Sequence, residues 1–141
     1  MLSNSNDHMT NTGGRSGFVV SADGELALAL SPSASEEEGL PQRSSPEQLL
    51  AAAIASSYAQ VLMDSATENS TVISSEIRVT AAVALMEEEG EEILEIVLEA
   101  LIPGCSTEEG SALMQEAYDY CPYCQAVYEN VTVHLNLLEE D

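Results

Sequence analysis

The run from Leu49 to Met63, LLAAAIASSYAQVLM, is the stretch that most constrains the fold. It follows Ser45-Pro46-Glu47, which suits an N-cap, a first helical position and an acid at the positive end of the helix dipole. Leu49, Leu50, Ala53, Ile54, Tyr58, Val61 and Leu62 then recur at three- and four-residue spacing, with alanine filling most other faces. That pattern predicts a helix ending near Asp64–Asn69 and buried nearly all round, so the remaining elements must pack about it. The apolar run itself is too short for a membrane span and carries Ser56, Ser57 and Gln60.

Strands are expected on both sides. Residues 17–30 read as a hairpin turning at Asp23-Gly24, with Leu26, Leu28 and Leu30 alternating. Residues 31–44, rich in Ser, Pro and Glu, read as a long exposed loop. Ile77, Val79, Ala81, Val83 and Leu85 alternate within a strand expected over 72–86. Leu94, Ile96 and Leu98 do so within 92–102, across a solvated EEEGEE turn where Gly90 can take positive φ. A second helix is expected from Ser106 or Thr107, with Glu108 and Glu109 in its first turn, running towards Cys121. Pro122 interrupts it, a short helical turn follows, and Val131, Val133, Leu135 and Leu137 mark a last strand. The order βββ–α–ββ–α–β is α+β, and 141 residues suit one domain, with residues 1–10 expected to be flexible.

Charge narrows the partners. Twenty acidic residues are Glu and five are Asp, against three arginines and no lysine, for a net charge of −22. Such a chain repels nucleic acid and anionic membranes, so neither is expected as a partner. The acidity reads as adaptation to a salt-rich cytoplasm, as a surface stripped of lysine, or as chance drift. MLSNSNDHMTNTGG lacks the basic and apolar regions of a secretory signal. Three cysteines, two of them in a C-x-x-C, suit an intracellular thiol protein better than a disulfide framework, so a cytoplasmic location is expected. Cys105, Cys121, Cys124 and a histidine lack zinc-site spacing, so no metal is expected.

Three blocks in order carry a family resemblance: Thr12-Gly13-Gly14-Arg15; Ser45-Pro46-Glu47-Gln48-Leu49-Leu50-Ala51-Ala52 running to Ser57; and Ala117-Tyr118-Asp119-Tyr120-Cys121-Pro122-Tyr123. Together they resemble the organic hydroperoxide resistance (Ohr/OsmC) proteins over about residues 11 to 138. The resemblance implies an OsmC-like fold, with two main helices packed on mostly antiparallel sheet, in an intertwined homodimer. It also implies a cysteine-based peroxidase that reduces organic or fatty-acyl hydroperoxides in oxidative-stress defence, with no cofactor beyond a dihydrolipoyl group or lipoylated protein as reductant. Ser57 falls on the peroxidatic cysteine position and Cys121 on the resolving one. Arg15 falls on the arginine that activates thiolate and peroxide, and Glu47 on the carboxylate holding that arginine.

Ser57 is the departure. A serine hydroxyl is far less acidic than a thiol and lacks sulfur's reactivity towards peroxide, and neither His8 nor His134 lies in a matched block to act as its base. The plain reading of Ser57 is a small polar residue bonded back to a helical carbonyl. Its presence fits an introduced Cys→Ser replacement or a natural loss that leaves a dimer binding a hydrophobic ligand. Cys124, where the family usually has serine, makes C-P-Y-C and raises a third reading, a dithiol oxidoreductase using Cys121 and Cys124. Glu47 and Ser57, ten residues apart on one straight helix, lie about 15 Å apart along its axis. If they share a site, either the helix breaks after Glu47 or a second subunit contributes.

Overall fold

Ser45 opens the long helix through a reciprocal cap. In the structure, a computed structural model describing residues 8–31 and 44–140, the Gln48 backbone N–H donates to Ser45 Oγ at 3.2 Å. The Ser45 N–H donates back to Gln48 Oε1 at 2.9 Å. The helix, α1, runs unbroken over Pro46–Glu68. A break after Glu47 is therefore excluded. The long loop expected over 31–44 lies almost wholly outside the described residues, as do residues 1–7 of the segment expected to be flexible.

The chain gathers into two units, Met1–Leu49 and Leu50–Asp141. The first holds an antiparallel sheet of β1 (Met9–Thr12), β2 (Phe18–Ser21) and β3 (Ala27–Ala29) in that order. β1 begins inside the segment expected to be flexible, with Met9 and Thr10 paired with Ser21 and Val20. The hairpin turns at Asp23-Gly24 as expected, with Gly24 at φ 77°. Ser44 N–H donates to Ala29 O and Ser31 N–H to Ser44 O, both at 3.0 Å, tying the end of β3 to the start of α1 within this unit.

The second unit pairs β4 (Arg78–Glu88) with β5 (Glu91–Leu101) in an antiparallel register from Arg78↔Leu101 to Glu88↔Glu91. Glu89 and Gly90 close the hairpin at φ 52° and 84°, both positive as a two-residue type I′ turn requires. β6 (Thr132–Leu138) adds parallel to β5. A parallel neighbour needs a crossover, which α2 (Thr107–Tyr120) and α3 (Pro122–Val127) supply. α2 starts where its sequence says, with Ser106 Oγ accepting from Glu109 N–H and the Glu109 carboxylate accepting from Ser106 N–H. Gly110 lets α2 approach β6: a Cβ there would lie 2.8 Å from a Leu137 methyl.

The core of this unit lies between α1, β5 and the α2–α3 segment. Ile54, Tyr58, Leu62 and Ala66 of α1 meet Ile96, Leu98, Ala100, Leu113, Met114, Ala117, Cys121 and Cys124. Each large apolar side chain buried there contributes about 1.5–3 kcal/mol.

Three expectations need correction. β4 begins at Arg78 rather than 72. Residues 72–77 are irregular, with Val72 exposed and the Ser74 N–H donating to Pro103 O at 3.0 Å. α1 is not buried all round: Ala52, Ala53, Ser56, Gln60, Met63 and Thr67 are exposed along one side. It also extends past the apolar run at both ends to 23 residues, with a window of mean hydropathy 1.2, so by length and composition it is able to cross a membrane.

Candidate functional site

The first unit carries Arg15 on a 3-10 turn, Gly14–Ser16, whose shape depends on its glycines. Gly13 and Gly14 sit at φ 91° and 69°, a region other residues avoid. Gly17 closes the turn so tightly that a Cβ would fall 1.8 Å from Thr12 O. Asn11 braces the loop, donating from Nδ2 to Gly14 O at 3.0 Å and accepting from Gly14 N–H at 2.9 Å. The guanidinium so placed donates from Nη2 to Glu47 Oε1 in an ion pair. Glu47 is the better shielded partner, its side chain 16% exposed against 45% for Arg15. The hydrogen bond from Arg15 holds the Glu47 carboxyl below its ordinary value of 4.5, against a smaller opposing effect of desolvation. The structure thus makes the contact between Arg15 and Glu47 that the resemblance implied.

The second unit holds the other three residues. Ser57 is half-buried on α1, and Cys121 Sγ donates to its Oγ at 3.7 Å. Back-bonding to a helical carbonyl belongs to its neighbour instead: Ser56 Oγ donates to Ala52 O at 2.7 Å. The plain reading of Ser57 is corrected accordingly, since its hydroxyl faces a thiol. Cys121 ends α2, its N–H donating to Ala117 O at 2.8 Å, and Pro122 starts α3 directly after it. That abrupt junction points both Cys121 and Cys124 into the core, at 0% and 1% exposed.

The two thiols are neighbours in the core. Burial pushes the Cys124 thiol well above its ordinary value, and the nearby Cys121 acts in the same direction. Tyr58, next to Ser57 in sequence, is wholly buried beside this pair and donates to Met114 O at 2.8 Å. Its phenol is likewise pushed up, chiefly by burial and then by the neighbouring cysteines, so it stays protonated. The sequence pattern marked Tyr58 only as a core residue; its place one step after Ser57 was the available signal that it walls the site. All three cysteines are free thiols. Cys105 stands apart, with its Sγ donating to Ile102 O at 3.2 Å and its thiol raised by desolvation and by Glu109.

Chemically, the cluster is a hydroxyl, a thiol and a second thiol in sequence, in an apolar setting. Among the described residues no group of three or more His, Cys, Asp or Glu side chains is placed to hold a metal ion. His134 lies on β6, its Nε2 3.0 Å from Glu95 Oε1.

Comparison with known proteins places this geometry. Residues 39–136 match the family model described as OsmC-like protein. The organic hydroperoxide resistance protein-like 1 of Staphylococcus saprophyticus is 34% identical over 137 residues, covering 94% of each chain. Among solved structures, an organic hydroperoxide resistance protein from Legionella pneumophila superposes with a TM-score of 0.81 at 31% identity, over 94% of this chain and 96% of that one. The organic hydroperoxide resistance protein OhrB of Bacillus subtilis gives 0.79 at 30% identity, over 93% and 96%.

Proposed function

The chain belongs to the OsmC-like protein family, and on that premise we propose that it keeps the organic-hydroperoxide site of its relatives while lacking the sulfur that attacks first. The observation that carries this reading is the contact between Cys121 Sγ and Ser57 Oγ at 3.7 Å. A cysteine at 57 would meet Cys121 within reach of a disulfide after modest side-chain adjustment, which is what a peroxidatic and a resolving sulfur need.

In that scheme a thiolate at 57 takes the distal oxygen of an organic or fatty-acyl hydroperoxide and becomes a sulfenic acid. Cys121 condenses with it, and a dihydrolipoyl group, free or on a lipoylated protein, reduces the disulfide. Arg15 stabilises thiolate and peroxide, and Glu47 fixes the guanidinium through a paired carboxylate. With serine at 57 the first step is missing, because a hydroxyl is not ionised near neutrality and oxygen does not reduce peroxide. The chain as it stands binds the hydroperoxide, or another ligand with a hydrophobic tail, without turnover through residue 57. The chain acts as a cytoplasmic homodimer. The open side of α1 supports this, with Met63 49% exposed.

Ser57→Cys tests the reading. With cumene hydroperoxide and dihydrolipoamide, the variant is expected to consume peroxide on the order of 100-fold or more faster than the starting chain. It should also form a 57–121 disulfide that Cys121→Ser abolishes. A Ser57→Cys protein that folds normally yet is no faster than its parent would remove the peroxidase scaffold from consideration.

A further inference from the structure

Ser57 stands at one end of a line of side chains along α1. Val61, Asp64 and Glu68 follow it at four, seven and eleven residues, so all four share one face of the helix. Beyond Ser57 that face opens into a cavity of about 380 Å³ lined by Val61, Asp64, Ser65, Glu68 and Tyr120. Tyr120, 72% exposed, directly precedes Cys121 and also walls a neighbouring cavity that includes Asp119. The first cavity thus begins one helical turn from the hydroxyl that Cys121 touches.

This cavity holds an unused hydroxyl. Ser65 is only 4% exposed, yet its Oγ bonds to no described group. Ser56 and Thr67 on the same helix instead donate to carbonyls four residues back. Among the described residues no side-chain oxygen or nitrogen is sealed from solvent without a partner, so Ser65 Oγ faces the cavity. A polar group so placed gains from a ligand that hydrogen-bonds it. The charge around it is negative and uncompensated. Asp64 accepts from the neutral Gln60 amide at 2.9 Å, and the described ion pairs, Arg15–Glu47 and His134–Glu95, involve neither Asp64 nor Glu68.

We propose that this cavity is the head-group end of the ligand site and takes a primary ammonium, so that the hydrophobic-tailed ligands of this chain are alkylammonium compounds rather than fatty carboxylates. The proposal rests on the hydroperoxide-site reading above and specifies its ligand class. An ammonium brings three donors, one for Ser65 Oγ and two for the Asp64 and Glu68 carboxylates, with the Tyr120 ring beside it. The alkyl chain runs back over Val61 towards Ser57, about 10 Å from Asp64 along the helix axis. A carboxylate head in the same place would face two like charges and offer Ser65 only an acceptor.

Isothermal titration of the whole protein at about 0.01 M salt should show decylammonium binding about tenfold or more tighter than decanoate, a gap that molar salt shrinks. Asp64→Asn with Glu68→Gln should abolish most of that preference, and Ser65→Ala should weaken decylammonium about two- to tenfold. Glu88→Gln with Glu91→Gln, the same charge change at the β4–β5 hairpin tip, should leave its affinity within about twofold. Decanoate bound as tightly as decylammonium would overturn the proposal, as would a hairpin-tip pair that costs as much as the cavity pair. Ser57→Cys with cumene hydroperoxide and dihydrolipoamide, run beside it, tells the two readings apart. Decylammonium should inhibit that variant competitively, raising KM at unchanged kcat, while decanoate should not. Turnover indifferent to decylammonium would leave the hydroperoxide site standing and remove the ammonium pocket. A folded variant without turnover would remove both.

Discussion

On the proposed reading, an oxygen stands at residue 57 where the hydroperoxide chemistry needs sulfur, so the local geometry and the reactivity of the site are separate questions. Ser57 still meets Cys121, and Arg15 still meets Glu47. The ion pair has its own signature. Arg15 lowers the Glu47 pKa, so its contribution to folding is complete above the unfolded value near 4.5 and is lost as pH falls through the lower folded value. Carbon-13 NMR of the Glu47 carboxyl should therefore show a midpoint below 4.5, and Arg15→Gln should move it upwards. Because Arg15 is nearly half exposed, the stability change below that pH should be small, under about 1 kcal/mol. A Glu47 midpoint unchanged by Arg15→Gln would show that the pair does not persist in solution.

At the scale of elements, the β4–β5 hairpin concentrates a conflict that the sequence shows and the register makes specific. Glu87 faces Glu92, Glu88 faces Glu91, and Glu89 occupies a left-handed position that a β-carbon disfavours. Glu89→Asn places the residue that a type I′ turn favours before Gly90 and removes one charge. It should stabilise the protein by about 0.5–1 kcal/mol, seen as a rise of roughly 1–3 °C in Tm. A fall in Tm would mean that the tip does not adopt this turn. Elements governed by neighbours in sequence were legible beforehand: the Ser106–Glu109 cap, the Asp23-Gly24 turn and the helix stop at Pro122 all act over a few residues. The start of β4 was not, because 72–77 is held irregular by the distant Pro103 carbonyl. The site divides the same way. C-P-Y-C is local and readable, whereas the meeting of Ser57 with Cys121 spans 64 residues and followed only from the family resemblance.

For the whole molecule, two opposing forces decide whether copies associate. α1 shows an open side at Ala52, Ser56 and Met63, and the first sheet exposes Met9 and Phe18, so apolar surface favours association. The open side of α1 carries alanines, which do not mark a face as polar in the sequence, and so the helix read as buried all round. Each copy also carries −22, and bringing two such charges together is costly unless ions screen them. The Debye length falls from about 30 Å at 0.01 M to about 3 Å at 1 M, so the repulsion is largely removed across that range while apolar contacts are not weakened. Sedimentation equilibrium should accordingly show a two-chain species in molar salt that shifts towards the single chain at low ionic strength. Tm should rise by several degrees over the same interval, both from screened glutamates within each chain and from mass action on the dimer. The two contributions separate by protein concentration, because only the second depends on it. A single-chain species at every salt concentration would remove the dimer. A Tm indifferent to salt would leave the acidity without an adaptive role.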